Sequence, residues 1–191
     1  MQVVLEGIDT AGKSTQIALL KEEFKDAIFT KEPGGTELGK RIREILLHDF
    51  KDSAICAKAE LFLFLSDRAE HYEKLILPNK NKLIICDRSL ISGIAYAKDF
   101  DFEFLKKLNL FALNGILPQK VVLLKLDKDT LEFRLKQKEA DSIEARGVEY
   151  LLNLQERLIF TIEKLGVECE IIDASEEISV INSKIVEFIK K

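Results

Sequence analysis

The sequence has few of the residues that identify several large protein classes. In 191 residues it contains no tryptophan, one methionine, two histidines, three prolines and three cysteines. Cys56, Cys86 and Cys169 are odd in number, widely spaced and set among apolar residues, which indicates neither a disulfide framework nor a zinc site. We expect them to be reduced thiols in the core. His48 and His71 have no carboxylate or cysteine at ligand spacing, so we expect ordinary surface or packing roles for both.

Charge and hydropathy exclude two further classes. A net charge of −4 provides no general basic field, which argues against a nucleic-acid partner. The longest unbroken apolar run, residues 61–65, is far shorter than the ~20 residues of a membrane-spanning helix. Because the first residues already follow a strand pattern in place of a signal sequence, we expect a cytoplasmic protein that does not associate with a membrane. The chain shows no repeat or linker, so we expect one domain over residues 1–191.

Short apolar segments alternate with long helical patterns, which predicts an α/β fold. The predicted strands are residues 3–6, 27–30, 83–86, 121–126 and 169–172. Helical patterns include residues 37–47, about 54–77 and 148–165. This order predicts a five-stranded parallel sheet with helices on both faces and ligands at the carboxyl ends of the strands. The runs 83–86 and 121–124 are apolar without alternation, as expected for central strands.

Residues 7–14, Gly-Ile-Asp-Thr-Ala-Gly-Lys-Ser, connect the first predicted strand to a helix and read as a phosphate-binding loop. Gly7 and Gly12 permit backbone angles and close approaches that a side chain would block, so successive N–H groups can converge on an anion. We expect Lys13, in a solvent-facing position, to reach the outer phosphates of a nucleotide, and Ser14 to ligate Mg²⁺.

Three further segments carry candidate functional residues, each with a plainer alternative. Asp87 and Arg88 end the third strand; Arg88 could bind a phosphate and Asp87 could orient it or help hold hydrated Mg²⁺, or the two could form a structural ion pair. Phe64 and Arg68 share a helix face and could hold a planar base, although on spacing alone a core ring beside a surface arginine is favoured. A basic segment could close over phosphates or be a solvated helix end; it contains Arg134, Lys136 and Lys138.

These segments, together with Glu32-Pro33-Gly34-Gly35, occur in the order found in thymidylate kinases, and the chain resembles that family along nearly its whole length. The resemblance is to the bacterial type, because Thr10 stands where eukaryotic members have arginine and many bacterial ones glycine. Ser89 also departs from the family, which usually has an aromatic residue or histidine there. Asp173-Ala174-Ser175 weakly resembles the adenine-side loop.

The resemblance implies a P-loop nucleoside monophosphate kinase fold with a short lid at about residues 134–147. It also implies Mg²⁺ as cofactor, ATP and dTMP as substrates, and a homodimer, for which the helix at 54–77 is a plausible contact face. ATP is then bound by Gly7, Ile8, Asp9, Thr10, Ala11, Gly12, Lys13, Ser14 and Thr15. The residues implied for dTMP are Asp9, Glu32, Pro33, Arg43, Phe64, Arg68, Arg88, Ser92, Gly93 and Tyr96. Ser14 and Asp87 are the implied metal ligands, and the catalytic cations come from Lys13, Arg88, Arg134, Lys136 and Lys138.

The reaction that these residues imply is transfer of the ATP γ-phosphoryl group to dTMP, giving dTDP and ADP as a step towards dTTP. A P-loop kinase for another nucleoside or nucleoside monophosphate is the alternative within the same class. From a different class, a nucleotide-dependent switch would share the loop, but a guanine-binding switch needs Asn-Lys-x-Asp. The nearest stretch, Asn79-Lys80-Asn81-Lys82, lacks the aspartate.

Overall fold

The computed structural model describes residues 1–47, 55–137 and 147–191. Its sheet consists of β1 (Gln2–Glu6), β2 (Ile28–Lys31), β3 (Ile84–Asp87), β4 (Lys120–Lys125) and β5 (Glu168–Asp173). The strand order is β2-β3-β1-β4-β5 and all four pairings are parallel. The predicted strands are therefore confirmed, each within one residue at its start. The two runs without alternation are internal strands, as expected, and β1 lies between them.

The centre of the sheet is buried on both faces. Val3, Val4 and Leu5 of β1 are fully buried, although successive side chains of a strand point to opposite faces. The same holds for the run from Val121 to Leu124 in β4. Helices must therefore cover both faces of the sheet, and the predicted fold class is confirmed.

Eight α-helices are present in the described residues: α1 (Lys13–Glu23), α2 (Glu37–Leu47), α3 (Ala57–His71), α4 (Leu90–Tyr96), α5 (Phe102–Ala112), α6 (Lys128–Lys136), α7 (Val148–Leu165) and α8 (Ile178–Lys190). The predicted bounds of α2 and α7 are confirmed. Helix α3 is shorter than expected, because a π-helical turn (Tyr72–Ile76) and a 3₁₀ turn (Leu77–Asn79) follow it. Pro78 in that last turn has no N–H to continue an α-helix.

Local sequence explains where several of these helices begin and end. Asp101 and Asp127 accept hydrogen bonds from backbone N–H groups in the first turns of α5 and α6. Helix α7 ends at Gly166, whose φ of 67° is readily adopted by glycine. Gln155 of α7 exchanges two hydrogen bonds with the backbone of Leu126, which fixes the chain just beyond β4. Of these contacts, the one between Gln155 and Leu126 holds a loop at the carboxyl edge of the sheet.

The cysteine prediction is only partly correct. All three thiols are free, but Cys56 is exposed, Cys86 is buried and Cys169 is intermediate. Cys56 precedes the first residue of α3 and so lies at a helix end instead of in the core. None of the described helices is both long and apolar enough to cross a membrane.

Candidate functional site

The phosphate-binding loop, residues 7–14, connects β1 to α1 as predicted. Gly7 has φ 149° and Gly12 has φ 95°. A Cβ on Gly7 would lie 2.9 Å from the Leu124 carbonyl oxygen, so this position requires glycine for both conformation and space. Gly12 is the N-cap of α1 and has no side chain to bind the free N–H groups of the first helical turn. Ser14 and Thr15 in that turn are exposed, which leaves the positive end of the helix open to an anion.

Lys13 is buried, and the expectation that it would face solvent was wrong. Its ammonium group donates to the Gly7 carbonyl at 2.8 Å and to the Ile8 carbonyl at 3.0 Å. Burial, and then repulsion from Arg88, lower the pKa of Lys13 to about 8. The cation is thus folded back on the loop backbone, where an arriving phosphate can compete for its N–H groups.

Arg88 lies against the phosphate-binding loop. Its Nη1 is 3.3 Å from the Gly7 carbonyl oxygen and 3.1 Å from Ser92 Oγ, and its Nη2 is 2.5 Å from Asp9 Oδ1. The ring of Tyr96 packs against the guanidinium at 5.4 Å. Although burial opposes it, the surrounding Tyr96 and Asp9 raise the pKa of Arg88. Arg88 therefore joins the loop to the end of β3 as a permanent cation.

The expected pairing of Arg88 with Asp87 does not occur, because Arg88 binds Asp9 instead. Asp87 Oδ1, Thr10 Oγ1 and the Tyr96 hydroxyl are buried without a hydrogen-bond partner in the described part of the chain. All three lie at or beside the phosphate-binding loop and the end of β3. Unpaired buried polar atoms are rare in folded proteins and are common at binding sites.

The Glu-Pro-Gly-Gly segment follows β2 and is held by side chains from two helices. Gly34 N donates to Asp67 Oδ1 of α3 at 2.9 Å. Arg43 of α2 donates to the Pro33 carbonyl at 2.9 Å, and its Cδ would lie 3.1 Å from a Cβ on Gly34. Burial raises the pKa of Asp67. Arg43, which the family resemblance implies for dTMP binding, thus supports this loop and remains partly accessible.

A buried cluster of Glu32, Arg68, His71 and Asn109, here called the Arg68 cluster, lies behind this segment. Glu32 Oε2 accepts from Arg68 Nε and Glu32 Oε1 contacts His71 Nδ1, both at 2.9 Å. Arg68 Nη1 donates to Asn109 Oδ1 at 2.6 Å. Burial would raise the pKa of Glu32, but Arg68 and His71 outweigh it and hold that pKa below its usual value. The carboxylate is therefore ionised and engaged at both oxygens.

Arg68 was expected either to bind a planar base or to lie on the surface, and its burial shows that the surface alternative is wrong. Only 2% of the residue is exposed, and its Nη2 also donates to the Ser89 carbonyl at 3.2 Å. Each terminal nitrogen still has one N–H without a described acceptor. A Cβ on Gly93 would lie 2.8 Å from Nη2, so glycine at this position lets α4 pass directly over the guanidinium. Phe64, one turn earlier on α3, is half-buried.

His71 is fully buried in the Arg68 cluster, so the packing role expected for it is correct and the surface role is not. Its Nε2 lies 2.8 Å from Thr30 Oγ1. Ligand atoms of Glu32, His71 and Cys86 lie within 4.8 Å of one another, as in a possible metal site. Hydrogen bonds already engage both histidine nitrogens and both Glu32 oxygens, and burial raises the pKa of Cys86 well above its usual value. These contacts do not favour a metal there. His48 lies outside the described residues.

The basic segment is only partly described. Arg134, in the last turn of α6, donates to the Thr10 carbonyl at 2.9 Å and to the Ala174 carbonyl at 2.6 Å. It thus connects the phosphate-binding loop to the loop after β5. Lys136 is exposed two residues later. Lys138 and the rest of the predicted lid to residue 146 lie outside the described residues.

Three functional neighbours were missed from sequence: Glu6, Asp67 and Asn109. None of them belongs to a recognisable short motif, and each acts on a residue far away in the chain. Glu6, for example, binds Ser89 and Ser92. The one available signal was Glu6 itself, a charged residue that continues the apolar run of β1.

The chain is similar to known proteins in both sequence and structure. A family model described as thymidylate kinase matches residues 5–185. The chain is 55% identical to a thymidylate kinase of Campylobacter jejuni subsp. doylei over the full length of both chains. It is 57% identical to one of Wolinella succinogenes, covering 97% of this chain and 96% of that one. The crystal structure of thymidylate kinase from Ehrlichia chaffeensis superposes with a TM-score of 0.76 at 26% identity, covering 99% and 98% of the two chains.

Proposed function

Because this chain belongs to the thymidylate kinase family, we propose that the site at the carboxyl edge of its sheet transfers the γ-phosphoryl group of ATP to dTMP. The family reaction gives dTDP from dTMP. The observation that carries the proposal is the contact of Arg88 with Gly7 and Asp9. This contact connects the phosphate-binding loop, which we assign to the donor triphosphate, to the end of β3, which we assign to the acceptor phosphate.

On the donor side, the phosphate-binding loop supplies backbone N–H groups and Lys13. A pKa of about 8 leaves Lys13 mostly protonated at neutral pH. When phosphate oxygens replace the Gly7 and Ile8 carbonyls as acceptors, the ammonium gains a full negative charge as partner. Phosphoryl transfer needs alignment and charge neutralisation more than covalent chemistry, so this cation serves the reaction directly.

On the acceptor side, Arg88 binds the dTMP phosphate, and its pairing with Asp9 fixes where the guanidinium points. The acceptor is already an anionic phosphate, so no general base is required. Tyr96, whose hydroxyl has no described partner, lies beside Arg88 and is our candidate for sensing the absent 2′-hydroxyl of the sugar. We propose that Asp9 contacts the 3′-hydroxyl of the sugar.

The residues present fit Mg²⁺, which prefers oxygen ligands and keeps several waters. Asp87 offers a carboxylate oxygen with no described partner, and the Ser14 hydroxyl is exposed in the first turn of α1. We propose these two as the groups that hold Mg²⁺ when ATP is bound. The ion then neutralises charge on the β- and γ-phosphates.

For the base, we propose that Phe64 stacks on thymine and that Arg68 donates to its O4. The Arg68 cluster supports this role, because Glu32 and Asn109 hold the guanidinium in one orientation and leave N–H groups available. Gly93 and Pro33 shape the wall of the pocket, and Arg43 stabilises that wall. Lid cations complete the charge neutralisation, and Arg134, Lys136 and Lys138 are the candidates.

Release of ADP, measured across dTMP, dUMP, UMP, dCMP, dGMP and AMP, tests the proposal. We expect dTMP to give the highest kcat/KM. A higher value with another acceptor would assign the site to a different nucleotide, and hydrolysis indifferent to every monophosphate would overturn the kinase assignment. From the family we further propose a homodimer acting in the cytoplasm, with one domain over residues 1–191; sedimentation of the purified protein tests the dimer.

A further inference from the structure

Glu6 is the last residue of β1 and has no solvent exposure. The three residues before it, Val3 to Leu5, are apolar and fully buried. A buried carboxylate is costly unless donors satisfy it, and an apolar residue of similar size often serves folding as well. Its presence at the point where the sheet meets the phosphate-binding loop therefore calls for a specific role.

Three donors from the start of α4 converge on this carboxylate. Glu6 Oε1 accepts from Ser89 Oγ at 2.8 Å and from Ser92 N at 3.3 Å, and Oε2 accepts from Ser92 Oγ at 2.5 Å. An ionised carboxylate accepts at both of its oxygens, which matches these three donors. Burial raises the pKa of Glu6, while its hydrogen bond from Ser92 and the charge of Arg88 oppose that rise.

The Ser92 hydroxyl connects Glu6 to Arg88. Its single proton is donated to Glu6, which leaves its lone pairs facing Arg88 Nη1 at 3.1 Å. If the acceptor at Glu6 were removed, the Ser92 proton would be free to turn towards the guanidinium, where two donors would then meet. Glu6 thus fixes the orientation of the Ser92 hydroxyl. That hydroxyl in turn holds Nη1 of Arg88, while Asp9 holds Nη2.

We propose that Glu6 is a positioning residue for the acceptor phosphate, acting through Ser92 on Arg88. This inference rests on the proposed function, in which Arg88 binds the dTMP phosphate. It assigns Glu6 no contact with substrate. It also gives a physical reason for serine at position 89, where the family usually has a larger residue: the small hydroxyl both donates to Glu6 and caps α4 by accepting from Ile91 N at 3.2 Å.

A double-mutant cycle of Glu6→Gln and Ser92→Ala tests the proposal. We expect Glu6→Gln to lower kcat/KM for dTMP roughly tenfold, the scale of one hydrogen bond to a charged group, with the KM for ATP within about twofold of wild type. In the Ser92→Ala background the same change should have almost no further effect, because the connection to Arg88 is already broken. Losses that multiply in the double variant would overturn the proposal.

Ser89→Ala is the matched control, since it removes a donor to Glu6 without touching the Ser92–Arg88 contact. We expect a lower melting temperature and near-wild-type kcat/KM for dTMP. If Glu6→Gln also lowered only the melting temperature, Glu6 would be structural and the proposal wrong. Should that variant fold too poorly to assay, Glu6→Asp withdraws the carboxylate by one methylene and must show the same selective loss; wild-type kinetics from it would equally refute the proposal.

The outcome is independent of the proposed substrate. All variants are compared with wild type using whichever nucleoside monophosphate the wild-type enzyme phosphorylates fastest. Failure of the wild type to use dTMP would count against the proposed function alone. Failure of the cycle, measured on an active wild-type enzyme, would count against the role of Glu6 alone.

Discussion

The phosphate-binding loop and the Arg68 cluster are built in opposite ways. The loop is one continuous stretch whose main contributions are backbone groups, glycine conformations and the end of α1. The cluster consists of side chains from just after β2, from α3 and from α5, with a sequence separation of 36 for Glu32 and Arg68 and of 41 for Arg68 and Asn109. In the proposed function the loop binds phosphates, which every nucleotide carries, whereas the cluster distinguishes one base from another. Generic recognition needs only local structure, and selective recognition needs the whole fold.

The largest expected effect is a loss of catalysis without a loss of folding, at Lys13 of the phosphate-binding loop. Lys13→Ala should lower kcat by about 10³-fold or more, because the cation that we propose neutralises charge on the reacting phosphates is lost. Thermal melts should show that the fold persists, since the Gly7 and Ile8 carbonyls lose only two donors. Lys21→Ala, at the exposed end of the same helix, is the control and should be fully active. Activity of the first variant within a few-fold of wild type would refute the assignment.

Arg68→Ala should affect both selectivity and stability. Cytosine presents an amino donor where thymine presents O4, and sites that read hydrogen bonds can discriminate by ~10⁴-fold. The ratio of kcat/KM for dTMP over dCMP should therefore fall by ~10²-fold or more. The free energy of unfolding should fall by about 3–5 kcal/mol, because Glu32 is left buried without its main partner. An unchanged ratio would show that Arg68 does not read the base.

Phe64→Ala tests the proposed stacking of the ring on the base. Stacking does not depend on which base is present, so this variant should weaken dTMP and dCMP alike, by about 1–3 kcal/mol. Binding titrations with both nucleotides measure the effect. A loss confined to dTMP would move base selection from Arg68 to the ring.

Arg88→Ala should lower kcat/KM for dTMP by ~10²-fold. Arg88 also contacts Gly7 and Asp9 of the phosphate-binding loop. We therefore also expect a smaller loss of ATP affinity, measured by direct titration. Arg88→Lys should not restore activity, because one ammonium cannot replace a fork that reaches Gly7, Asp9 and Ser92. If the variant lost as much ATP binding as dTMP binding, Arg88 would not be a group that acts mainly on the acceptor phosphate.

The pKa of Lys13 predicts how ATP binding depends on pH. Phosphate favours the protonated ammonium, so bound ATP raises this pKa above its free value of about 8. Affinity should then be constant below pH 8 and fall as pH rises through 8, reaching roughly a tenfold loss near pH 9. Titrations from pH 7 to 9.5 measure it. Lys13→Ala should abolish this dependence, and a flat wild-type profile would contradict the low pKa.

The smallest expected effect concerns the basic segment after β4. Lys136 is exposed and free to approach phosphates as they react, so Lys136→Ala should lower kcat a few-fold with little change in either KM. Lys128→Ala, exposed at the other end of α6, is the control. Arg134→Ala should instead raise the KM for ATP, since Arg134 binds the Thr10 and Ala174 carbonyls. If both the Arg134 and the Lys136 variants kept wild-type kcat, Lys138 and Arg43 would be the remaining candidates for the catalytic cation.

Sequence was sufficient for the strands, the fold class and the phosphate-binding loop, because each depends on local pattern: apolar runs for buried strands and glycines at fixed spacing for the loop. It was insufficient where a side chain's partner is remote. The burial of Lys13, the pairing of Arg88 with Asp9 and the engagement of Glu32 by Arg68 and His71 all depend on how distant segments meet. A charged residue such as Glu6 in an apolar strand signals such a contact without naming its partner.

The pairing of Glu32 with Arg68 also bears on how the protein could escape an inhibitor. A compound that competes with the nucleotide by binding Arg68 uses a group that the fold itself requires. Substituting that arginine to evade the compound would leave Glu32 buried without its partner and lower the free energy of unfolding by about 3–5 kcal/mol. That is a large share of the roughly 5–15 kcal/mol by which most domains are stable. Resistance through this residue would therefore require a second, compensating change at Glu32. A compound anchored only on the exposed Ser14 side would meet no such barrier.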